Sequence, residues 1–253
     1  MAIRVGLFGF GKTGRAVATT LLSSSETRLD WVARRSTRLD HRSVPEFLGI
    51  ESEESGTILS VAPETIGPLL DEHPVDVIVD FSSREGLEVY GDAAAERGIA
   101  IVSAISDYEA HHIQHLDALA ERTAVLWSPN ITVGINFLIL AAKLLRKVCP
   151  SLDVEIIEEH FRAKPEVSGT AKVIARELGT ASEGIKSIRA GGIIGRHEIL
   201  FGFPYQTVRL VHESISREAF GNGAIFATLN LFGRAAGRYT MEDLLRPYLS
   251  EPA

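Results

Sequence analysis

A single cysteine, Cys149, is all that this chain of 253 residues holds, so no internal disulfide can form and stability must come from buried apolar surface. Basic residues are also short: 26 Lys and Arg against 33 Asp and Glu leave a net charge of −7 and a pI near 5.7. A groove that follows nucleic-acid phosphates needs a basic surface, which excludes nucleic acid as the main partner and leaves any anionic ligand dependent on local cations. No apolar run approaches the roughly 18 to 20 residues that cross a bilayer, so no membrane partner is expected. The strand-like run at the start takes the place of a charged and then apolar leader, from which a cytoplasmic protein is expected. Internal repeats and low-complexity tracts are missing.

What is present suits a medium-sized enzyme. With 45% hydrophobic and 23% charged residues the chain can bury one large core or two modest ones, and two domains are expected. The first half alternates strands (3–8, 29–34, 75–81, 99–105, 124–127) with helices (15–22, 84–97, 108–121), the pattern of a parallel sheet covered on both faces. After Asn130 the pattern changes. A long apolar helix over 133–148 precedes strands at 154–160, 185–190, 197–201 and 207–213 with one helix, near 170–178, among them. Helices over 217–232 and 240–249 close the chain. The expected fold is α/β: an N-terminal Rossmann-like dinucleotide-binding domain, 1–130 plus 234–253, and an α+β mixed-sheet domain for substrate and oligomerisation, 131–233.

Gly9-Phe10-Gly11-Lys12-Thr13-Gly14 follows the first strand and opens the first helix, the context in which three glycines let a backbone approach a pyrophosphate at a helix N-terminus. A tight strand-to-helix turn without ligand is the plain alternative. The second strand ends Ala33-Arg34-Arg35-Ser36-Thr37, with no carboxylate for a ribose 2′-hydroxyl; Asp30 falls too early in the strand. Two guanidinium groups suit a 2′-phosphate, so NADPH is expected in preference, with NADH possible. A solvated basic turn would read the same way.

Residues 154–170 carry the densest chemistry. An alternating strand ends on His160, Lys164 adds a cation, and Ser168-Gly169-Thr170 stands where a helix should begin, which together make a receptor for a small dicarboxylate that is protonated as it reacts. Singly, His160 reads as a hydrogen-bonded core histidine, Lys164 as a surface lysine and Ser168 as a helix cap. His111, His112 and His115 include an i, i+4 pair but no placed carboxylate or cysteine, so no metal is expected. Cys149 has no paired base.

Several stretches in order resemble one family. Asp80-Phe81-Ser82-Ser83, residues 128–136 from Ser128-Pro129-Asn130 onward, residues 155–170, residues 187–197, Phe220-Gly221-Asn222-Gly223-Ala224 and residues 239–245 are together similar to bacterial dihydrodipicolinate reductase, also called 4-hydroxy-tetrahydrodipicolinate reductase. The resemblance implies an NAD(P)H-dependent oxidoreductase of diaminopimelate and lysine biosynthesis, a cytoplasmic homotetramer acting on a small cyclic dicarboxylate. It further implies that His160 is the proton donor or acceptor, that Lys164 is the family's active-site lysine, and that Ser168, Gly169 and Thr170 receive a substrate carboxylate. Ser103, at the family's glycine-threonine loop, and Ser128, Pro129 and Asn130 are implied in cofactor binding with the glycine loop. Phe161 and Ala163 stand where the family has histidines, the 165–167 linker is one residue shorter, and Ser103 and Ser106 replace glycines. A relative with another imine-like carboxylate, or a nucleotide-binding homologue without turnover, remains open on these departures.

Overall fold

The computed structural model describes residues 2–52 and 56–250. Its elements in chain order are β1 (Ile3–Phe8), α1 (Lys12–Leu22), β2 (Thr27–Arg34), α2 (Val44–Leu48), β3 (Thr57–Ser60), α3 (Ile66–Glu72), β4 (Val77–Asp80), α4 (Gly86–Glu96), β5 (Ala100–Ser103), α5 (Ala110–Ala120) and β6 (Ala124–Trp127). There follow α6 (Val133–Val148), β7 (Asp153–His160), α7 (Gly169–Leu178), β8 (Lys186–Arg189), β9 (Arg196–Gly202), β10 (Thr207–Glu213), α8 (Glu218–Leu231), β11 (Gly237–Tyr239), α9 (Met241–Leu245) and α10 (Pro247–Ser250).

The chain divides into two compact units. One runs to Thr132 and resumes at Phe220; the other spans Val133–Ala219. The first is a seven-stranded parallel sheet in the order β11-β6-β5-β4-β1-β2-β3. The strand order reverses at β1 and β4, the point in doubly wound sheets where ligands meet the carboxyl ends of the strands. Its strands are apolar on both faces because helices cover both: Ile78, Ile101 and Val125 sit in one buried cluster with Leu87 and Tyr90 of α4 and Leu116 and Leu119 of α5.

The second unit is a four-stranded mixed sheet, order β10-β9-β7-β8, antiparallel except for the β7–β8 pair. One face is a core: Ile156, Ile199 and Phe201 pack with Ile135, Leu138 and Ala142 of α6 and Ala171, Ile174 and Leu178 of α7. Toward the end of β7 the same face turns polar. In register across it lie Ser187 of β8, Glu158 of β7, His197 of β9 and His212 of β10.

The sequence reading differs from the structure at several elements. It placed 131–233 in the second domain, whereas most of α8 belongs to the first unit, where Phe220 meets Phe81 edge-on at 6.5 Å between ring centroids. It missed α2, β3, α3 and β11, and it joined 240–249 into one helix where α9 and α10 divide at Arg246.

Candidate active site

The glycine loop is shaped by close backbone contacts. Gly9 has φ of +96°, and a β-carbon there would lie 2.6 Å from the Phe81 carbonyl oxygen, at the β1–β4 reversal. A β-carbon on Gly14 would lie 2.1 Å from the Gly9 carbonyl oxygen, so this glycine lets α1 close onto the loop. At Gly11, the N-cap of α1, an added β-carbon meets nothing within 4 Å, and the helix start has neither a side-chain cap nor an acidic residue in its first turn. These are the three separate glycine tasks of a pyrophosphate loop. Phe10 anchors it: the ring is buried beside Phe47, 5.4 Å between centroids, with the Arg15 guanidinium over both. Lys12 is exposed and Thr13 half-buried.

A cavity of about 260 Å³ opens beside this loop, lined by Gly9, Gly11, Arg34, Arg35, Ser82 and Ser83. Arg34 is the last residue of β2. Arg35 donates to Ser83 Oγ at 2.9 Å and pairs with Glu85 at 3.1 Å. Asp30 is committed to Arg28 at 2.7 Å, four residues before the strand ends. The loop after β4 is built on Asp80. Fully buried, it accepts from Ser82 N at 2.8 Å, Ser82 Oγ at 2.6 Å and the Tyr90 hydroxyl at 3.0 Å. Burial pushes its carboxyl up to about 6, against the pull of the Ser82 and Tyr90 bonds.

A second cavity in this unit, about 290 Å³, is lined by Thr13, Ser82, Ala104, Ser106, Pro129 and Phe220 among others. Ser103 is not on its wall: it is buried, its hydroxyl 2.9 Å from that of Tyr108, and the residues that follow it face the opening. Ser128 donates to the Asn130 carbonyl at 2.8 Å, and the Asn130 side chain accepts from Thr132 Oγ1 at 3.0 Å, so these two shape the turn while Pro129 lines the cavity.

In the second unit, β7 delivers Glu158 and His160 to the same face. Glu158 is completely buried and accepts from both Arg189 guanidinium nitrogens, at 2.9 and 2.6 Å, and from Ser187 Oγ at 2.6 Å. It also holds His160 by Nδ1, which leaves Nε2 as the ring nitrogen not engaged by Glu158. Nε2 faces Gly195, where a β-carbon would come within 3.1 Å. Burial alone would raise the Glu158 carboxyl, but the bonds from Arg189, Ser187 and His160 outweigh it and hold it at about 2. His160 lies below the ordinary histidine range, mainly from burial and further from the cations Lys164 and Arg189, against the opposing pull of Glu158.

Arg189 ties down the loop as well. Its Nε donates to the Lys164 carbonyl at 3.1 Å and its Nη2 to that of Glu166 at 2.8 Å. Lys164 is half-buried, and its ammonium makes no hydrogen bond or ion pair with another side chain among the described residues. Ser168 is the N-cap of α7, yet its hydroxyl lies 2.9 Å from His197 Nε2 and makes no capping bond. Gly169 is open on its β-carbon side, Thr170 is half-buried, and the first turn holds no acidic residue. His160, Lys164 and the start of α7 thus surround one polar patch within the second unit, and its donors and cations suit a small carboxylate that needs a proton.

Residues 3–131 match the family described as "Dihydrodipicolinate reductase, N-terminus" and residues 131–245 the one described as "Dihydrodipicolinate reductase, C-terminus". The chain belongs to the dihydrodipicolinate reductase family. Similar curated relatives are the 4-hydroxy-tetrahydrodipicolinate reductases of Caldanaerobacter subterraneus subsp. tengcongensis, 33% identical over 68% of this chain and 77% of that protein, and of Myxococcus xanthus, 29% identical over 93% and 95%. Among solved structures, the dipicolinate-bound dihydrodipicolinate reductase of Paenisporosarcina sp. TG-14 shares the fold with a TM-score of 0.80 at 22% identity, covering 96% of this chain and 99% of that one.

For a member of this reductase family, the glycine loop and its cavity fit a nicotinamide dinucleotide: Gly9 and Gly14 occupy positions that a β-carbon would clash at, and Gly11 stands open at a helix start. The sequence reading missed Glu158, Ser187, Arg189 and His197 as site residues, although strand alternation places Glu158 on the face of His160. It also missed a carboxylate near the helical histidines. Glu88, His111 and His112 bring their ligand atoms within 4.8 Å of one another. His112 Nδ1, however, accepts the Glu109 backbone N–H at 3.2 Å to cap α5, so ligation through either ring nitrogen would cost that bond, and His115 bonds Asp92 at 3.1 Å instead.

Proposed function

We propose that this chain reduces 4-hydroxy-tetrahydrodipicolinate to tetrahydrodipicolinate, the 4-hydroxyl leaving as water, with NADPH favoured over NADH, in diaminopimelate and lysine biosynthesis. The observation that carries the reading is the buried Glu158–His160 pair beside Lys164 and the uncapped start of α7. Bound reduced nicotinamide supplies the hydride. The glycine loop and the start of α1 hold the pyrophosphate, and Arg34 and Arg35 meet the 2′-phosphate, for which Arg35 must leave Glu85. In the second unit Lys164, with Ser168 and the Gly169 and Thr170 amides, takes a substrate carboxylate. Glu158 accepts a hydrogen bond from Nδ1–H of His160 and stabilises the imidazolium, whose Nε2–H neutralises the charge that hydride addition leaves on the ring. Burial makes that imidazolium a stronger acid than an exposed one.

The cytoplasmic homotetramer implied by the family belongs to this reading, and sedimentation of the purified protein tests the assembly. Among the described residues no helix is long and apolar enough to cross a membrane. Phe161, 43% exposed next to His160, favours a second reading in which a different small imine-like carboxylate is the better substrate.

One assay separates these. Purified protein should oxidise NADPH when given fresh dihydrodipicolinate synthase product, and His160→Gln should lose roughly 10²- to 10⁴-fold in turnover with NADPH binding intact. NADPH binding without oxidation of that product removes the first reading, and an unimpaired His160→Gln removes the role of His160.

A further inference from the structure

Ser168 is an unusual N-cap. It stands at the start of α7, is only 3% exposed, and spends its hydroxyl on His197 Nε2 at 2.9 Å in place of a backbone N–H of its own helix. Which of the two atoms donates decides what Ser168 can do. His197 is 5% exposed, and its Nδ1 is buried with no hydrogen-bond partner among the described residues. Its cross-strand neighbour His212 offers none, because His212 Nδ1 is likewise buried and unpartnered.

Two neutral tautomers are available. With the proton on Nδ1, a buried N–H has no acceptor and Nε2 must take the Ser168 proton. With the proton on Nε2, His197 donates to Ser168 Oγ and only a lone pair is left unpaired at Nδ1. An orphaned buried donor is the costlier and rarer of the two, so the second tautomer prevails. Burial keeps the ring neutral by lowering its pKa to about 4.

We infer that His197 is a positioning residue for the substrate carboxylate: its Nε2–H holds the oxygen of Ser168, so that the Ser168 hydroxyl proton is left to donate to an anion at the start of α7. This rests on the proposed carboxylate site and adds the group that turns Ser168 from a helix cap into a donor. The N-cap side chain, held by His197, makes no capping bond to its own helix.

The test uses the full chain saturated with NADPH and titrated with pyridine-2,6-dicarboxylate. A hydrogen bond to a charged group is worth roughly 10- to 100-fold in affinity. Ser168→Ala and His197→Leu should each weaken binding by about that factor, and the double variant no further, while His197→Gln, whose amide nitrogen can donate from a similar place, recovers most of the loss. In turnover the loss should fall on KM more than on kcat. Nitrogen-15 spectra of histidine-labelled protein should show a neutral His197 protonated at Nε2, an observation that stands even if His197→Leu folds poorly. A ring protonated at Nδ1, or His197→Leu binding as wild type while Ser168→Ala is weakened, overturns the positioning role alone. Unchanged binding in Ser168→Ala overturns the carboxylate site and this inference with it.

Discussion

Replacing Glu158 by Gln tests the pair on which the proposed proton chemistry rests. The carboxylate is fully buried, held by both arms of Arg189, and depressed to about 2 from an ordinary 4.5. A group shifted that far contributes about 3 kcal/mol to folding at neutral pH. A second route agrees: removing one partner of a buried ion pair costs about 3 to 5 kcal/mol, and Arg189, with 20% of its side chain exposed, keeps enough water for the low end. In a chain of this size that loss should lower the melting midpoint by roughly 6 to 12 °C. The sign with pH follows from a depressed carboxyl, whose contribution is complete above its unfolded pKa and fades as pH falls toward the folded one. The gap between wild type and Glu158→Gln should therefore narrow by about 2 kcal/mol between about pH 6 and about pH 3. Urea denaturation at both pH values, followed by circular dichroism, measures it. A gap under about 1 kcal/mol at pH 6, or one unchanged at pH 3, would refute the reasoning. Turnover should fall as well, since His160 loses the negative charge that stabilises its imidazolium, while NADPH affinity stays as it was.

Three further outcomes are expected. Gly14→Ala places a β-carbon 2.1 Å from the Gly9 carbonyl oxygen, so the start of α1 must shift; NADPH affinity should drop at least about tenfold and stability by about 1 to 3 kcal/mol, read by calorimetry and melting. Arg34→Ala with Arg35→Ala should weaken NADPH selectively, each lost bond to phosphate being worth about 1.5 to 3 kcal/mol, and equal effects on NADH would contradict the 2′-phosphate role. Because burial and the cations beside it lower His160, kcat/KM should fall as pH rises through a group below the usual histidine range; Lys164→Ala removes one of those cations and should move that inflection upward, and a downward or absent movement would contradict the proximity of the two.

The parts of the molecule that were legible beforehand are those governed by local pattern. Apolar runs such as Val77–Asp80 and Ala124–Trp127 identify strands buried on both faces, and Gly9, Gly11 and Gly14 identify the loop because their spacing and placement are local. The short β3 and β11 have no such pattern of their own. Thr57–Ser60 and Gly237–Tyr239 become strands because parallel neighbours, β2 and β6, offer them an edge, which no window of sequence contains. Ser103 shows a related limit. Its position in the strand was legible, but the partner that captures its hydroxyl, Tyr108, lies beyond the turn.

The same distinction separates the two halves of the substrate patch. His160, Lys164 and Ser168 lie on one stretch of chain and announce themselves together; the groups that control them arrive through sheet register. Arg189 stands 31 residues from Glu158 and His197 29 residues from Ser168, joined only because β8 runs parallel and β9 antiparallel to β7. Strand alternation sets Glu158 on the face of His160, but that a carboxylate there stays ionised while fully buried depends on the guanidinium that β8 brings across. Without Arg189, desolvation would raise Glu158, weaken its claim on the Nδ1 proton and release the carbonyls of Lys164 and Glu166. The residues proposed to react are therefore local in sequence, whereas the protonation states that the proposal requires of them are a property of the folded sheet.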